Sequence, residues 1–140
     1  DKRARSWLAT LYNNQGWTLF ELGRLDEAIA CQQKCLAWHE QHNNQSKAFI
    51  ARWSLARLSR AQERHEQAMA ELAQLRDDMA AAGTPEDGYV FEELGENALV
   101  LNDPAAPEFF ARAWFLLSQD GWFTANEAER LARLKLLAKL

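Results

Sequence analysis

Cys31, Cys35 and His39 come nearest to chemistry in residue type and spacing. They fall at i, i+4 and i+8 of one helical face, and two thiols with an imidazole can hold a soft metal ion. Distance excludes a shared ion. Eight residues advance a helix by about 12 Å, whereas zinc ligands sit about 2.0–2.3 Å from the metal. Only a half site remains, Cys31–Cys35 or Cys35–His39, and His42 or His65 would have to complete it. The competing reading is packing, because thiols are among the groups most often buried. Packing is the reading adopted, so no metal and no cofactor are expected. Side-chain direction at i, i+4 is poor for closing a disulfide ring. Free thiols in a reducing, cytoplasmic setting follow as the expectation.

Other catalytic patterns are weaker. His39, His42 and His65 stand in helices or an exit turn, away from any nucleophile motif, and the six glycines are dispersed rather than gathered into a phosphate loop. Glu92, Glu93 and Glu96 cluster on one helix, with Glu92 and Glu96 on a common face. Paired carboxylates can perform acid–base work, but a solvated helix face produces the same pattern. The chain reads as a non-enzyme.

The elements that must position these residues are all helical. At 140 residues, 48% hydrophobic and 26% charged, the chain has the size and composition of one globular domain. No run approaches a membrane span, and no Lys/Arg-dense patch suits a phosphate backbone, so neither membrane nor nucleic acid is an expected partner. The net charge of −4 is unevenly spread, +4 over residues 1–60 and −8 over 61–140. Apolar spacing predicts seven helices, at 2–22, 26–40, 46–61, 65–82, 89–101, 105–117 and 125–139. Asp26 suits the start of the second. Thr84, Pro85 and Asp87 predict an N-cap, N1 and N3 for the fifth, and Asp103-Pro104 caps the sixth. Asp120-Gly121 predicts a break, and Thr124 with Glu127 a capping box for the last helix.

Residues 11–36 carry a repeat signature. Tyr12, Gln15, Gly16, Leu19, Gly23, Ala28, Gln32 and Cys35 occupy eight positions that resemble the tetratricopeptide repeat, with Gly16, Gly23 and Ala28 matching best. Phe91, Leu94, Gly95, Ala106, Phe110 and Ala113 resemble it again, one residue shorter. The stretch between is degraded, with Arg52 where an aromatic is usual and Glu63 where Gly is usual. The resemblance implies an all-α fold of three tetratricopeptide-like hairpins, at 3–42, 46–82 and 85–118, stacked as a right-handed superhelix. A C-terminal capping helix at 125–139 completes one domain over 1–140. It also places Gly16 and Ala28 at close helix–helix contacts.

In that family the first helix of each pair lines a concave ligand-binding surface. Residue by residue, the resemblance implies Asn13, Trp17 and Phe20 in the first repeat. It adds Ile50, Trp53, Arg57 and Arg60 in the second, and Glu92, Glu96 and Leu99 in the third. Two readings compete with a groove: Trp17 and Trp53 fill the core between pairs, and Arg57 and Arg60 pair internally with Glu92, Glu93 or Glu96. The clamp by which some members grip peptide C-termini is not completed, since only Asn13 loosely matches it and no adjacent Lys follows. The expected function is a protein-interaction module that binds a peptide or helix. Self-association, as a homo-oligomer or as a segment of a larger repeat assembly, is the alternative.

Overall fold

The computed structural model describes residues 2–140, with side chains from Leu8 onward. All regular elements among the described residues are helices, and the chain divides into two compact units, Asp1–Arg64 and His65–Leu140. The division falls inside the hairpin expected at 46–82.

The first unit holds α1 (Lys2–Glu21), α2 (Leu25–Gln41) and α3 (Gln45–Ala61). Local chemistry ends each helix. Gly23 takes φ +77°, the left-handed region where a side chain is costly, and Arg24 N–H reaches back to Leu19 O at 2.9 Å. Asn43 (φ 53°) and Glu63 (φ 61°) do the same after α2 and α3, with Asn44 N–H bonding His39 O and Arg64 N–H bonding Ser59 O. A left-handed exit thus forms even where glutamate replaces the usual glycine. Asp26 lies inside the first turn of α2 rather than ahead of it, and its Oδ1 accepts from Gln62 Nε2 at 2.8 Å.

α1 and α2 meet closely at Gly16. A Cβ there would lie 3.0 Å from Gln32 Nε2, 3.4 Å from Cys31 Cβ and 3.5 Å from Ala28 O. Ala28 has no exposed surface, so both small residues stand at the contact. Around it Leu19, Ala28, Cys31 and Leu58 form the core, with Phe20, Leu25 and Ile29 packed against them. Burying these apolar faces is the main stabilisation available to such short helices.

The second unit holds α4 (His65–Ala81), α5 (Gly88–Val100), α6 (Ala106–Leu117), α7 (Gly121–Asn126) and α8 (Ala128–Leu137). Leu72, Leu75, Leu94, Phe110, Phe123 and Leu134 are fully buried. At Gly95 a Cβ would lie 2.8 Å from two carbons of the Phe110 ring, so α5 and α6 approach closely only because glycine is there.

Three boundary expectations are corrected. Thr84 does not cap α5. Its N–H already bonds Met79 O at 2.9 Å in the exit turn of α4, and Asp87 caps instead, accepting from Tyr89 N–H at 2.8 Å. Asp103 accepts from Ala105 N–H in a turn that precedes α6, which begins at Ala106. The last helix is broken in two, giving eight helices among the described residues rather than seven. Asp120 opens α7 by accepting from Phe123 N–H at 2.8 Å, which leaves Thr124 inside that helix with its hydroxyl bonded to Gly121 O. Glu127 stands at the α7–α8 junction and makes no capping box with Thr124.

Candidate functional site

Within the first unit, one face of α1 and α3 gathers most of the residues singled out there. The Trp17 and Phe20 rings meet edge to face with centroids 5.6 Å apart, and Trp53 of α3 lies 6.1 Å from Trp17. The Arg57 guanidinium sits 5.0 Å above the Phe20 ring, within cation–π range. All four are half-buried. Phe20 also packs on the Leu19–Leu58 core, so the cluster joins interior and surface. Arg60, one turn beyond Arg57, is half-buried as well.

One turn earlier on both helices, Asn13 and the exposed Ile50 line a cleft of about 220 Å³ together with Thr10, Cys35, His39 and Lys47. Asn13 is oriented by Gln32, whose Nε2 donates to its Oδ1 at 3.1 Å. Gln32 is fully buried and stands where the repeat pattern usually has an aromatic. Its bond to Asn13 meets half of its polar requirement, while its Oε1 stays buried without a partner.

The thiols and imidazole behave as core groups. Cys31 and Cys35 are both free and buried. Burial pushes the Cys35 thiol up, only partly countered by the Lys47 charge, which keeps it protonated and poor as a ligand or nucleophile. Burial also holds His39 below the usual imidazole range, helped by Lys47 and His42, and its Nδ1 has no hydrogen-bond partner. His42 instead stacks on Trp38 with centroids 4.0 Å apart. Among the described residues no group of three His, Cys, Asp or Glu could hold a metal ion.

The third-repeat residues belong to the second unit and have partners there. Glu92 is buried and receives both Nε, at 2.7 Å, and Nη2 of Arg130, a two-pronged pair that raises the Arg130 pKa. Arg130 also lies over the Tyr89 and Phe123 rings at 5.7 and 5.2 Å. Glu96 pairs with Arg133, whose Nη2 lies 3.2 Å from Oε2. Leu99 is exposed. Arg130 and Arg133 escaped the reading of the sequence. Their three-residue spacing, matched to the four-residue spacing of Glu92 and Glu96, is the signal that could have found them.

No helix among the described residues is long and apolar enough to cross a membrane. The tetratricopeptide repeat family matches residues 9–42, the stretch that forms most of α1 and all of α2. No curated protein and no solved structure matches the chain. The chain thus carries one tetratricopeptide-like hairpin, α1–α2, within an all-α, repeat-like fold.

Proposed function

We propose that this chain is a non-enzymatic protein-interaction module whose α1–α3 face receives a peptide or helix of a partner protein. One observation carries the reading. Trp17 and Phe20 from α1 and Trp53 and Arg57 from α3 assemble into a half-buried aromatic–cation cluster, though the helices are separated in sequence by α2. Aromatic and arginine side chains of this kind dominate binding energy at protein interfaces. The match over residues 9–42 supports the further reading that the hairpins are tetratricopeptide-like repeats of a right-handed stack, with first helices lining a concave surface.

The set Asn13, Trp17, Phe20, Ile50, Trp53, Arg57 and Arg60 is therefore the proposed docking surface. Glu92 and Glu96 belong to the second unit, where Arg130 and Arg133 of α8 already hold their carboxylates. The test is a peptide selected from a random display library on the whole chain. Amide protection on α1 and α3, with binding weakened by Trp53→Ser and by the Arg57→Ala/Arg60→Ala pair at unchanged helicity, is the expected result. Equal affinity for wild type and both variants would overturn the assignment.

A further inference from the structure

A larger cleft of the first unit, about 630 Å³, lies where α2 hands over to α3. Ala48 and Phe49 are its buried apolar lining, and the polar groups along it include His39, Glu40, Asn44 and Gln45. None of its residues belongs to the proposed docking surface, so its occupant is a separate question. Its volume is in the range of small-molecule sites, about 300–1,000 Å³.

Two independent features favour a negative occupant. α3 opens with no side-chain cap and no acidic residue in its first turn, where Lys47 stands instead. Asn44, at the N-cap position, turns its Oδ1 to the Ser46 hydroxyl, 3.5 Å away. Every helix from α4 onward, and α2, begins with an aspartate cap or an acid in its first turn. The first N–H groups of a helix have no intrahelical partner, and together with the helix dipole they attract an anion. The second feature is His39. It lines the same cleft at 7% exposure, and its Nδ1 is buried without a hydrogen-bond partner. Its backbone oxygen accepts from Asn44 N–H at 2.9 Å, which fastens it to the start of α3. Burial, with Lys47 and His42 adding to it, favours the neutral ring. A proton on Nδ1 can then be donated to an oxyanion without leaving a buried charge.

Two charged groups shape the rest of the occupant. Arg52 lies over the Phe49 ring, at 6.0 Å, and lends the cleft only its charge. Glu40 is an exposed carboxylate beside the cleft, which repels an anion but accepts a hydrogen bond from a hydroxyl. We propose that the α2–α3 cleft binds a small phosphorylated polyol: the phosphate meets the first N–H groups of α3 and His39 Nδ1, and a hydroxyl donates to Glu40. A phosphate ester is favoured over a carboxylate because its three free oxygens can meet several donors at once.

The probes are inorganic phosphate, glycerol phosphate, acetate and glycerol, titrated into the isotope-labelled chain at constant ionic strength and followed by NMR. Both phosphates should give saturable shifts at the Gln45, Ser46 and Lys47 amides and at the His39 ring nitrogens, with acetate and glycerol weakest. Glycerol phosphate should bind about threefold or more tightly than inorganic phosphate, as one added hydrogen bond implies. Asn44→Asp supplies α3 with a carboxylate of its own. Its melting temperature should hold or rise while phosphate affinity falls about fivefold or more, so unfolding cannot account for the loss. His39→Leu should weaken both phosphates, and Glu40→Ala should tighten inorganic phosphate while erasing the advantage of the ester. Absence of saturable shifts at residues 45–47, or shifts undiminished in Asn44→Asp, would overturn the site. Acetate bound as tightly as phosphate would refute the choice of phosphate, and an ester no tighter than inorganic phosphate would refute the polyol and the role of Glu40.

Discussion

Replacing Gly95 with alanine adds a single methyl group where α5 and α6 leave no space. The new carbon would lie 2.8 Å from Cδ1 and Cε1 of Phe110 and 3.0 Å from its Cγ, against about 3.5–4.0 Å for comfortable carbon contacts. Phe110 is fully buried, so its ring cannot swing into solvent. Alanine gains about 1 kcal/mol over glycine in a helix interior, while overpacking costs about 1–3 kcal/mol. The net expectation is a loss of up to about 2 kcal/mol, or a melting temperature lower by a few degrees. Gly16→Ala supplies the control. There the nearest atom, 3.0 Å away, is the Nε2 end of Gln32, which can move at the expense of its bond to Asn13. That substitution should come out near neutral. Urea unfolding followed by circular dichroism, with amide exchange resolving α5 and α6, gives both values. In the Gly95→Ala background, Phe110→Leu should cost less than it does in the wild type, a coupling that a double-mutant cycle reads directly. Gly95→Ala as stable as wild type, with no coupling to Phe110, would refute the close α5–α6 contact.

Three more predictions follow from particular residues. His39 titrates below its unfolded value of about 6.5, so the unfolded chain binds the proton first. Its contribution is complete above that pH and is lost as the pH falls toward the folded value. His39→Gln should flatten the stability profile over that acid range, and an unchanged slope would count against burial as the cause. Arg130→Ala leaves the Glu92 carboxylate, whose side chain is 8% exposed, without its partner, whereas Arg133→Ala uncovers a wetter Glu96. Arg130 is itself 37% exposed, so solvent tempers the loss to about 1–3 kcal/mol. Amide exchange in α8 should accelerate more for Arg130→Ala than for Arg133→Ala, and the reverse order would contradict the pairing. Asp87→Ala and Asp120→Ala should each cost about 1 kcal/mol as lost N-caps, while Thr84→Ala and Thr124→Ala stay nearly silent. A thermal-shift series over the four variants checks this, and a large effect at either threonine would restore the capping scheme read from the sequence.

Much of the helix order was legible in the chain because the signals are local. Gly23 and Gly83 stop helices by adopting positive φ, a property of one residue and its immediate neighbours. The pairing of Gly16 with Ala28 was legible through the repeat pattern, which encodes a recurring contact between adjacent helices. The repeat resemblance named Trp17, Phe20, Trp53 and Arg57 residue by residue, and the structure brings these four side chains together. Gln32 was named only as a repeat position and Lys47 not at all, because neither an amide nor a lysine in a helix signals what lies opposite it.

Caps were misread where two segments compete for one group. Thr84 has the right side chain for an N-cap, yet its backbone N–H is already used to close α4, and the start of α5 shifts to Asp87. Glu92 and Glu96 show the limit most plainly. Their spacing on α5 identifies a shared face, and nothing in that segment tells a solvated pair from a bound one. Their state depends on Arg130 and Arg133, thirty-eight and thirty-seven residues onward, reaching them only after α7 and α8 have turned. Periodicity and turn residues settle which segments are helices, since those energies act within a few residues. Which charges meet, which stay wet and which amide is already taken are decided by tertiary packing, because electrostatic and hydrogen-bond energies depend on distance in space and not on separation along the chain.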